Sequence, residues 1–553
     1  MKPTMFWLWS QINRRIPAIV LMTLAHMGQA LLGVAFALGT RSVIDSAVSG
    51  DRYAFRHACL IQGAIILGLL LSQAVYRHLH DRLTAELDRD WKQSLFDGLI
   101  RGDYSAVTKF HTGELLNRMN NDVRILNCGI LDALPNVAAL LARLMSALLV
   151  LITMGPGFAL IICTAGGIVM MATGLIRRNL KKLNKSVSEH EGKVSGFLQE
   201  NLEKLLLVQA MDVGREVRRR ADVLLKDRFH IQCRRKNYSL LANTCVSALS
   251  HGASFAALVW CSWKMIAGHM SFGSMTAIIQ LVNQLQSPFM NLSAAIPQYI
   301  AMTAAAERLR ELLELDREPV LVDHSAEALY ERMTAICAEE LCFSYDRDVL
   351  MDRVSLRLPK GCFAVITGSS GIGKSTLLKL LLGIFRAESG SLYLDMGDKQ
   401  MAVDRSTRRL FAYVPQGNLL FSGTIRENLT ITKPDATNEE LSVAMYVSAM
   451  DEFLSHLPKG VDTVIGESGA GLSEGQAQRL AIARAILGGA PILLLDECTS
   501  ALDEETERLV LRRLAQLPNR TCIAVTHRPA ALELCDLQLH MQEGCVSICS
   551  KCK

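Results

Sequence analysis

The chain has 553 residues, of which 50% are apolar, and a formal net charge of +5. Its length exceeds one ordinary hydrophobic core and predicts about two to four domains. The small excess of basic residues lies beside long apolar stretches rather than on a separate basic face, so the composition excludes a nucleic-acid-binding protein.

Four long stretches contain no Asp, Glu, Lys or Arg: residues 16–40, 57–76, 144–176 and 239–263. Such stretches are typical of membrane helices, and they occur only in the first 300 residues. The longest is broken at Gly155-Pro156-Gly157, which predicts a tight turn between two antiparallel helices. We therefore predict six spans, at about 16–40, 56–78, 133–154, 157–176, 239–265 and 271–298.

The connections between the spans set the orientation. Residues 77–127 and 177–236 are long and rich in Lys and Arg, whereas residues 41–55, 155–157 and 266–270 are short. Because Lys and Arg are enriched on the cytoplasmic side, we expect the long connections and both termini in the cytoplasm. No small-residue cleavage site follows a short apolar core at the start, so the first span should be retained. These features predict a multi-pass protein of the bacterial inner membrane, surrounded by lipid.

Nine of the 15 cysteines follow residue 330, in the part of the chain that we place in the reducing cytoplasm. We expect free thiols there rather than a disulfide scaffold. Cys545, Cys549 and Cys552 lie close together in sequence near the end. A frayed tail is favoured over a metal site for them, because no fourth ligand is near.

The second half of the chain changes in pattern. The sixth span is predicted to continue as a helix almost to Pro319, and residues 319–334 to form a polar linker. The runs CFAVITG, FAYVPQ, ILLLDE and CIAVTH are typical of buried strands in a parallel sheet covered by helices. The sequence thus predicts an all-α polytopic membrane domain over residues 1–318 and a separate α/β domain over residues 335–553.

The run VITGSSGIGKSTLLKLLLG contains a G-x-x-x-x-G-K-S motif between a predicted strand and a predicted helix. In this motif, backbone N–H groups surround a phosphate chain, the Lys reaches the β- and γ-phosphates, and the Ser hydroxyl binds Mg²⁺. The motif therefore predicts an α/β P-loop nucleotide-binding domain with ATP and Mg²⁺ as ligands. The predicted loop residues are Gly368, Ser369, Ser370, Gly371, Ile372, Gly373, Lys374, Ser375 and Thr376.

Two acids end the later run PILLLDE. Asp496 is predicted to hold Mg²⁺ through water, and Glu497 to polarise an attacking water. The alternative is that both are structural acids at the end of a strand.

A second anion site is predicted within residues 469–487, GAGLSEGQAQRLAIARAIL. Ser473 opens a run with an apolar helical face, so that its hydroxyl and the first backbone N–H groups can bind an anion. One phosphate chain does not need two such sites on one fold, so the local sequence alone does not identify the anion.

In their order along the chain, these motifs resemble those of the ATP-binding cassette (ABC) superfamily. The resemblance covers nearly the whole chain and is to an exporter-type half-transporter, with six membrane helices ahead of one nucleotide-binding domain. It implies that Tyr345 stacks on adenine, that Gln416 senses the γ-phosphate and that His527 contacts it. The implied catalytic residues are Lys374, Gln416, Glu497 and His527, and the implied Mg²⁺ ligands are Ser375, Gln416 and Asp496.

The resemblance also gives the second anion site a role. Two nucleotide-binding domains of the family pack head to tail, so Ser473, Gly475 and Gln476 are expected to bind ATP held by a partner's phosphate loop. Glu474 replaces the first glycine of the commonest family signature, and a carboxylate near phosphate repels it unless it points away. We expect a functional site. Because no catalytic residue is missing, a homodimer is favoured, and a heterodimer with a different half-transporter stays open.

Residues 111–123 and 205–217 lie midway along the two cytoplasmic connections, where exporters carry their coupling helices. The resemblance therefore implies an ATPase that drives export of a substrate by alternating access. The alternative is an ATP-gated channel or regulator with the same ATPase.

A polar stripe recurs at helical spacing along the predicted sixth span: Gln280, Asn283, Gln284, Ser287 and Asn291. It should face the interior, either on the transport pathway or in hydrogen bonds between helices. Arg143 is predicted ~16 Å deep in the membrane, where an unpaired guanidinium is costly against lipid. We predict that Arg143, Gln280, Asn283 and Ser287 line the pathway of a substrate with an anionic group; a structural role for Arg143 is the alternative. The substrate itself is not identified by the fold.

Overall fold

A computed structural model describes residues 2–154, 156–318, 325–345, 348–417, 420–466 and 471–550. Within these ranges, the side chains of residues 2, 3, 156–178, 181, 246, 250, 286–296, 348, 549 and 550 are not described. The chain forms two compact units, one of residues 1–100 and 111–314, the other of residues 101–110 and 315–553.

The first part of the chain is helical. Its helices are α1 (Lys2–Gln11), α2 (Ile16–Val48), α3 (Arg52–Arg101), α4 (Tyr104–Val107), α5 (Thr112–Asn117), α6 (Val123–Cys128), α7 (Leu134–Met154), α8 (Pro156–Glu203), α9 (Leu205–Ala210), α10 (Gly214–Ile266) and α11 (Phe272–Leu313). Two π-helical turns, Arg118–Asp122 and Gly129–Ala133, join α5, α6 and α7 into one run. The short helix α4 belongs to the second unit.

Among the described residues, four helical runs are long and apolar enough to cross a membrane: Asn13–Val48, Arg52–Arg101, Thr112–Met154 and Gly214–Ile266. They contain four of the predicted spans. The other two predicted spans, 157–176 and 271–298, fall on α8 and α11, where many side chains lie outside the described residues. Gly155 of the predicted turn also lies outside them, between the end of α7 and the start of α8.

Small and aliphatic side chains allow α2, α7, α10 and α11 to pack together. Their common core includes Ala37, Ala147, Ala257, Ile278 and Leu281, each at most 1% exposed. In contrast, Leu60, Leu67 and Leu70 of α3 are more than half exposed in the single chain. Apolar side chains on an outer helical face suit a lipid environment.

An ion-pair cluster fixes the helical run 112–154 to α11. Asp122 is 1% exposed and accepts two hydrogen bonds from Arg308, at 2.7 and 2.6 Å. Arg118, also buried, donates to Glu311 at 2.7 Å and to Glu114 at 2.6 Å. Because these charges are desolvated and paired, removal of one partner would leave a buried charge unpaired.

Within its described residues, the second unit has twelve strands: β1 (Ala335–Tyr345), β2 (Asp348–Pro359), β3 (Phe363–Thr367), β4 (Ser389–Asp395), β5 (Gln400–Ala402), β6 (Phe411–Val414), β7 (Gly423–Thr424), β8 (Val464–Ile465), β9 (Ile492–Asp496), β10 (Thr521–Val525), β11 (Leu537–Gln542) and β12 (Cys545–Ser550). A six-stranded sheet has the order β12-β11-β3-β10-β9-β6, and it is parallel except for β12. A four-stranded antiparallel sheet has the order β2-β1-β4-β5. The four buried strands predicted from apolar runs are confirmed as β3, β6, β9 and β10.

Besides α4, the second unit has the helices α12 (Ala326–Arg332), α13 (Lys374–Leu381), α14 (Ile425–Thr430), α15 (Asn438–Val447), α16 (Asp451–Ser455), α17 (Glu474–Leu487), α18 (Glu504–Ala515) and α19 (Pro529–Leu534). Alternate residues of the parallel strands enter two cores. Leu493 and Leu495 of β9 pack with α14, α15, α17 and α18, whereas Ile492 and Leu494 pack with α13 and the antiparallel sheet. Both faces of the sheet are therefore covered, as continuous apolar strands require.

Two expectations differ from the structure. α11 ends at Leu313, well before Pro319, because Arg317 pairs with Gly102 in an antiparallel bridge instead of continuing the helix. The predicted linker 319–334 contains α12, and residues 319–324 lie outside the described residues.

The expectation of a frayed tail is wrong as far as Ser550, because β12 pairs along its whole length with β11. None of the twelve cysteines whose side chains are described forms a disulfide, as expected for the reducing cytoplasm. The side chain of Cys549 and the whole of Cys552 lie outside the described residues.

Candidate ATP site

Several of the predicted site residues lie together at one edge of the parallel sheet. The strands β3, β10, β9 and β6 are neighbours in that order, so their carboxyl ends lie side by side. The residues at or just beyond these ends are Gly368, His527, Asp496, Glu497 and Gln416. Ligands of open α/β sheets bind at this edge.

The phosphate loop, residues 368–373, joins β3 to α13. Gly368 has φ +147°, and a Cβ there would lie 2.5 Å from the carbonyl oxygen of Met541, so only glycine fits. Lys374 begins α13 and is 5% exposed. Its Nζ donates to the carbonyl oxygens of Gly368 at 2.7 Å and Ser369 at 2.9 Å. The ammonium is thus held inside the loop, where it can neutralise a phosphate.

Asp496 receives two hydrogen bonds at the end of β9 and is 1% exposed. The Ser375 hydroxyl donates to Oδ1 at 3.0 Å, and the Tyr413 hydroxyl donates to Oδ2 at 3.1 Å. Burial and the charge of Asp496 raise the pKa of Tyr413, so this hydroxyl stays a donor at neutral pH. Hydroxyl, carboxylate and amide oxygens in this group, which includes the nearby Gln416, suit Mg²⁺.

Tyr413 was not among the residues predicted from the sequence. It lies on β6 opposite Leu494 of β9, two residues before the end of the adjacent strand. A polar aromatic residue in an otherwise apolar run was the only local signal. Its contact with Asp496 depends on the order of the strands, which the sequence does not state.

Glu497 has a backbone conformation that is unusual for a residue other than glycine, with φ +48°. Its N–H donates to Val525 at 3.0 Å, and its carbonyl accepts from Ser500 at 3.2 Å, which fixes this conformation. Such a backbone costs about 1–2 kcal/mol for a residue other than glycine. The Gln416 amide donates to the Glu497 carboxylate at 2.7 Å, so the structure brings these two predicted residues together.

His527 and Tyr345 flank this group on the chain. His527 is exposed and follows β10, next to the end of β9. Tyr345 ends β1, and its ring lies edge-to-face with Phe385, with centroids 5.5 Å apart, and with Phe343 at 5.2 Å. Tyr104 of α4 also contacts Phe385, at 5.8 Å. Tyr345 is 42% exposed, so its ring can stack with a base, whereas Phe343 and Phe385 are buried.

The predicted start of a helix at Ser473 is confirmed by α17. The Ser473 hydroxyl accepts from the Gln476 N–H at 3.2 Å, and the Gln476 side chain accepts from the Ser473 N–H at 2.9 Å. This reciprocal capping fixes the helix N-terminus. Glu474 is exposed in the first turn. Among the described residues, the partner of Ser473 in these hydrogen bonds is Gln476 of its own helix and not the phosphate loop.

Gly475 is needed for close packing against the loop 500–503. A Cβ on it would lie 2.9 Å from the carbonyl oxygen of Ala501 and 3.2 Å from Leu502. Gln478, one turn further along α17, donates to Ser500 at 3.0 Å and accepts from the Ala501 N–H at 3.1 Å. The signature helix α17 and the loop 500–503 are therefore packed tightly against each other.

Part of the polar stripe on α11 joins helices together. The Gln284 amide donates to the carbonyl of Gly33 on α2 at 2.9 Å, and Asn283 accepts from Ser254 of α10 at 2.8 Å. For these two residues the contacts agree with the alternative of hydrogen bonds between helices. The side chains of Ser287 and Asn291 lie outside the described residues.

Gln280 and Arg143 are half-buried on α11 and α7. The Gln280 Oε1 atom is buried and has no hydrogen-bond partner among the described residues. Among the same residues, no hydrogen bond links Arg143 to the stripe.

Two family models match the chain, that of the ABC transporter transmembrane region over residues 19–289 and that of the ABC transporter over residues 351–500. The protein belongs to the ABC transporter family. The resemblance inferred from the motifs and the predicted fold class are thus confirmed, because a helical membrane region precedes a nucleotide-binding domain.

Relatives of this ABC transporter include lipid and drug transporters. It is 28% identical over 467 residues to an ATP-dependent lipid A-core flippase of Vibrio vulnificus, covering 82% of this chain and 78% of the relative. It is 27% identical over 530 residues to a multidrug efflux ATP-binding/permease protein of Mycobacterium bovis, covering 94% of this chain but 44% of that relative. The structure of a bacterial Atm1-family ABC exporter with ATP bound has the same fold, with TM-score 0.78, 22% identity and coverage of 97% and 94%.

Proposed function

We propose that the protein is an ATPase that exports a substrate across the bacterial inner membrane by alternating access, as a homodimer of half-transporters. The observation that carries this proposal is the group at the sheet edge, where Ser375 bonds to Asp496 and Gln416 bonds to Glu497. The group lies in a domain that follows apolar helices, and the relatives are named for efflux and lipid flipping. An ATP-gated channel or regulator is the second candidate.

In the proposed reaction, Glu497 orients and deprotonates the attacking water, and Gln416 holds its carboxylate. Lys374 neutralises the γ-phosphate from inside the phosphate loop, and His527 contacts the same phosphate from the end of the neighbouring strand. Tyr345, which is 42% exposed, stacks with adenine. The strained backbone of Glu497 directs its side chain without any need for induced movement.

Ser375, Asp496 and Gln416 would hold Mg²⁺, with Asp496 acting through water. When bound, Mg²⁺ neutralises charge on the phosphate oxygens. The Tyr413 hydroxyl fixes the orientation of the Asp496 carboxylate, because it bonds to the oxygen that Ser375 does not use.

The second anion site is proposed to act on a partner's nucleotide. The capping of α17 presents a helix N-terminus at Ser473, Gly475 and Gln476, and such a terminus favours a phosphate. Glu474 is exposed rather than fixed toward its own chain. One copy would therefore supply the phosphate loop and the other the signature helix, so that each ATP is shared by two chains.

The cytoplasmic connections offer the contacts that transport needs. α9 lies within the predicted coupling segment 205–217, and its Leu205, Leu206 and Leu207 are 47%, 83% and 54% exposed. A run of exposed leucines at a helix tip requires an apolar partner surface in the assembled protein. We assign α9, and the short helix α4 just before segment 111–123, as coupling helices.

The transported substrate is proposed to carry an anionic group. Arg143 lies on α7, within a predicted span, and a guanidinium at that depth needs water, a cavity or an anion. Gln280 has a buried oxygen without a partner among the described residues, which can accept a hydrogen bond. The two residues would contact the substrate at different points of the pathway.

Export is tested in proteoliposomes that contain the full-length protein and a fluorescent phospholipid, with an anionic dye inside or outside the vesicles as a second probe. ATP should move at least one probe, and Glu497→Gln should abolish the movement while ATP still binds. ATP-dependent ion conductance without movement of either probe would favour the channel. Movement that persists at the wild-type rate in Glu497→Gln would contradict the proposed chemistry.

A further inference from the structure

The segments that follow two long helices form a short antiparallel pair within the second unit. Gly102 and Arg317 face each other in a β-bridge. The Asp103 N–H donates to Asp316 at 2.8 Å, and the Glu318 N–H donates to Arg101 at 3.0 Å. Arg101 is the last residue of α3, which contains the second predicted span. Glu318 lies five residues beyond Leu313, the end of α11, which contains the sixth predicted span. The bridge therefore pairs the segments that follow the two helices.

The carboxylate of Glu318, which lies next to this bridge in the chain, forms ion pairs with two arginines. Its side chain is only 13% exposed. Arg408 approaches it with both terminal nitrogens, at 3.1 Å to one carboxylate oxygen and 2.7 Å to the other. Arg405 lies 3.4 Å from the same carboxylate. A forked pair of this kind fixes the relative orientation of the two groups as well as their distance.

Arg408 also contacts the end of α13, the helix that starts at the phosphate loop. Its Nε donates to the carbonyl of Leu382 at 3.2 Å, and a terminal nitrogen donates to Gly383 at 3.1 Å. These carbonyls directly follow α13, whose first residue is Lys374. A cation at a helix C-terminus bonds its last carbonyls and favours its dipole. α13 is about 12 Å long and rigid, so a shift of the phosphate loop moves its other end.

A cavity of about 350 Å³ lies beside this ion pair. Asp103, Glu318, Phe385, Asp404 and Arg405 are among its lining residues. Because the space next to the pair is not filled by side chains, Arg405 and Glu318 have room to change rotamer. A movement of the Glu318 carboxylate relative to Arg408 therefore need not meet packed side chains on the side of this cavity.

We propose that the Glu318–Arg408 ion pair transmits the nucleotide state between the phosphate-loop helix α13 and the paired segments that follow α3 and α11. Glu318 and Arg408 are positioning residues, because neither touches the reacting atoms. The inference rests on the proposed function, since it assumes that ATP rearranges the membrane helices. The ion pair would transmit this change within one chain, in addition to the proposed coupling helices α4 and α9.

The test uses the full-length protein in lipid nanodiscs with the Glu497→Gln substitution, so that bound ATP is not hydrolysed. Hydrogen exchange is compared with and without Mg²⁺–ATP in three regions: the phosphate loop, α3 and α11. Glu318→Gln and Arg408→Gln are then added singly, and Glu318→Asp serves as the conservative variant that keeps the charge. Asp462→Asn is the matched control, because Asp462 pairs with Arg426 at 2.9 Å in the same unit, away from the bridge.

ATP should slow exchange in the phosphate loop of every variant. In Glu318→Gln and Arg408→Gln, the ATP-dependent change in α3 and α11 should fall by at least about fivefold, the low end of measured coupling factors. Glu318→Asp should recover most of that change, and Asp462→Asn should behave as the parent. In the background without Glu497→Gln, both Gln variants should still hydrolyse ATP.

Two outcomes would overturn the inference. The first is that the ATP-dependent change in hydrogen exchange of α3 and α11 persists in Glu318→Gln. The second is that ATP no longer slows hydrogen exchange in the phosphate loop of that variant, which would make the pair a structural support of the nucleotide site. A parent protein with ATP-protected phosphate loops but no change in α3 or α11 would instead overturn the proposed transport function, and the inference with it.

Discussion

The Tyr413 hydroxyl can be removed from the ATP site by a substitution that keeps the rest of the side chain. Tyr413→Phe keeps the ring and deletes one hydrogen bond of 3.1 Å to the buried Asp496 carboxylate. A hydrogen bond to a charged group contributes about 1.5–3 kcal/mol, and loss of a group that orients a metal-binding carboxylate typically reduces metal affinity or activity about 10- to 100-fold. We therefore expect the Mg²⁺ concentration for half-maximal ATPase activity to rise, or the maximal rate to fall, within that range.

The assay is ATPase activity of the full-length protein against Mg²⁺ at fixed ATP. Tyr446→Phe is the matched control, because Tyr446 is 53% exposed and its ring lies under Arg513, away from Asp496. Burial and Asp496 raise the pKa of Tyr413, so the hydroxyl is protonated below that pKa and its hydrogen bond is lost only above it. The deficit of Tyr413→Phe should thus be constant from about pH 6 to 9. A deficit equal to that of Tyr446→Phe, or one that disappears below pH 9, would refute the reasoning.

Three further predictions follow from single contacts. Gly475→Ala should destabilise the second unit by about 1–3 kcal/mol through overpacking against Ala501, and thermal unfolding should show this even without ATP; an unchanged unfolding temperature would contradict it. Arg308→Ala leaves the buried Asp122 without its forked partner and should cost about 3–5 kcal/mol in unfolding experiments, whereas removal of an exposed helical ion pair costs well under 1 kcal/mol. Arg143→Ala should retain basal ATPase activity but lose its stimulation by an anionic substrate, and full stimulation would retire the pathway assignment.

Much of the nucleotide-binding domain could be predicted because its signals are local. Continuous apolar runs identify β3, β6, β9 and β10, and the glycine spacing before Lys374 predicts the loop between β3 and α13. Ser473 with Gln476 three residues later is a recognisable helix start, and the structure has that cap. In each case, the residues that determine the feature lie within one turn or one strand of it.

The remaining features depend on contacts between residues far apart in the chain. α11 stops at Leu313 because Arg317 pairs with Gly102, and no property of the sequence around Leu313 indicates this partner. Tyr413 reaches Asp496 only because β6 is next to β9, and Tyr104 reaches Phe385 only because residues 101–110 fold with the second unit. Gln284 and Asn283 have a polar pattern that fits a transport pathway as well as helix packing, and only their partners on α2 and α10 distinguish the two.

The central claim, that two copies share each ATP, is tested most directly with differently tagged Ser473→Ala and Lys374→Ala chains. Each homodimer has two defective sites and should hydrolyse little ATP. Heterodimers isolated by both tags combine the intact phosphate loop of one chain with the intact signature of the other, so they should recover about half of the wild-type rate if the sites act independently. Heterodimers no more active than the two parent homodimers, with both variants folded and paired, would contradict the account.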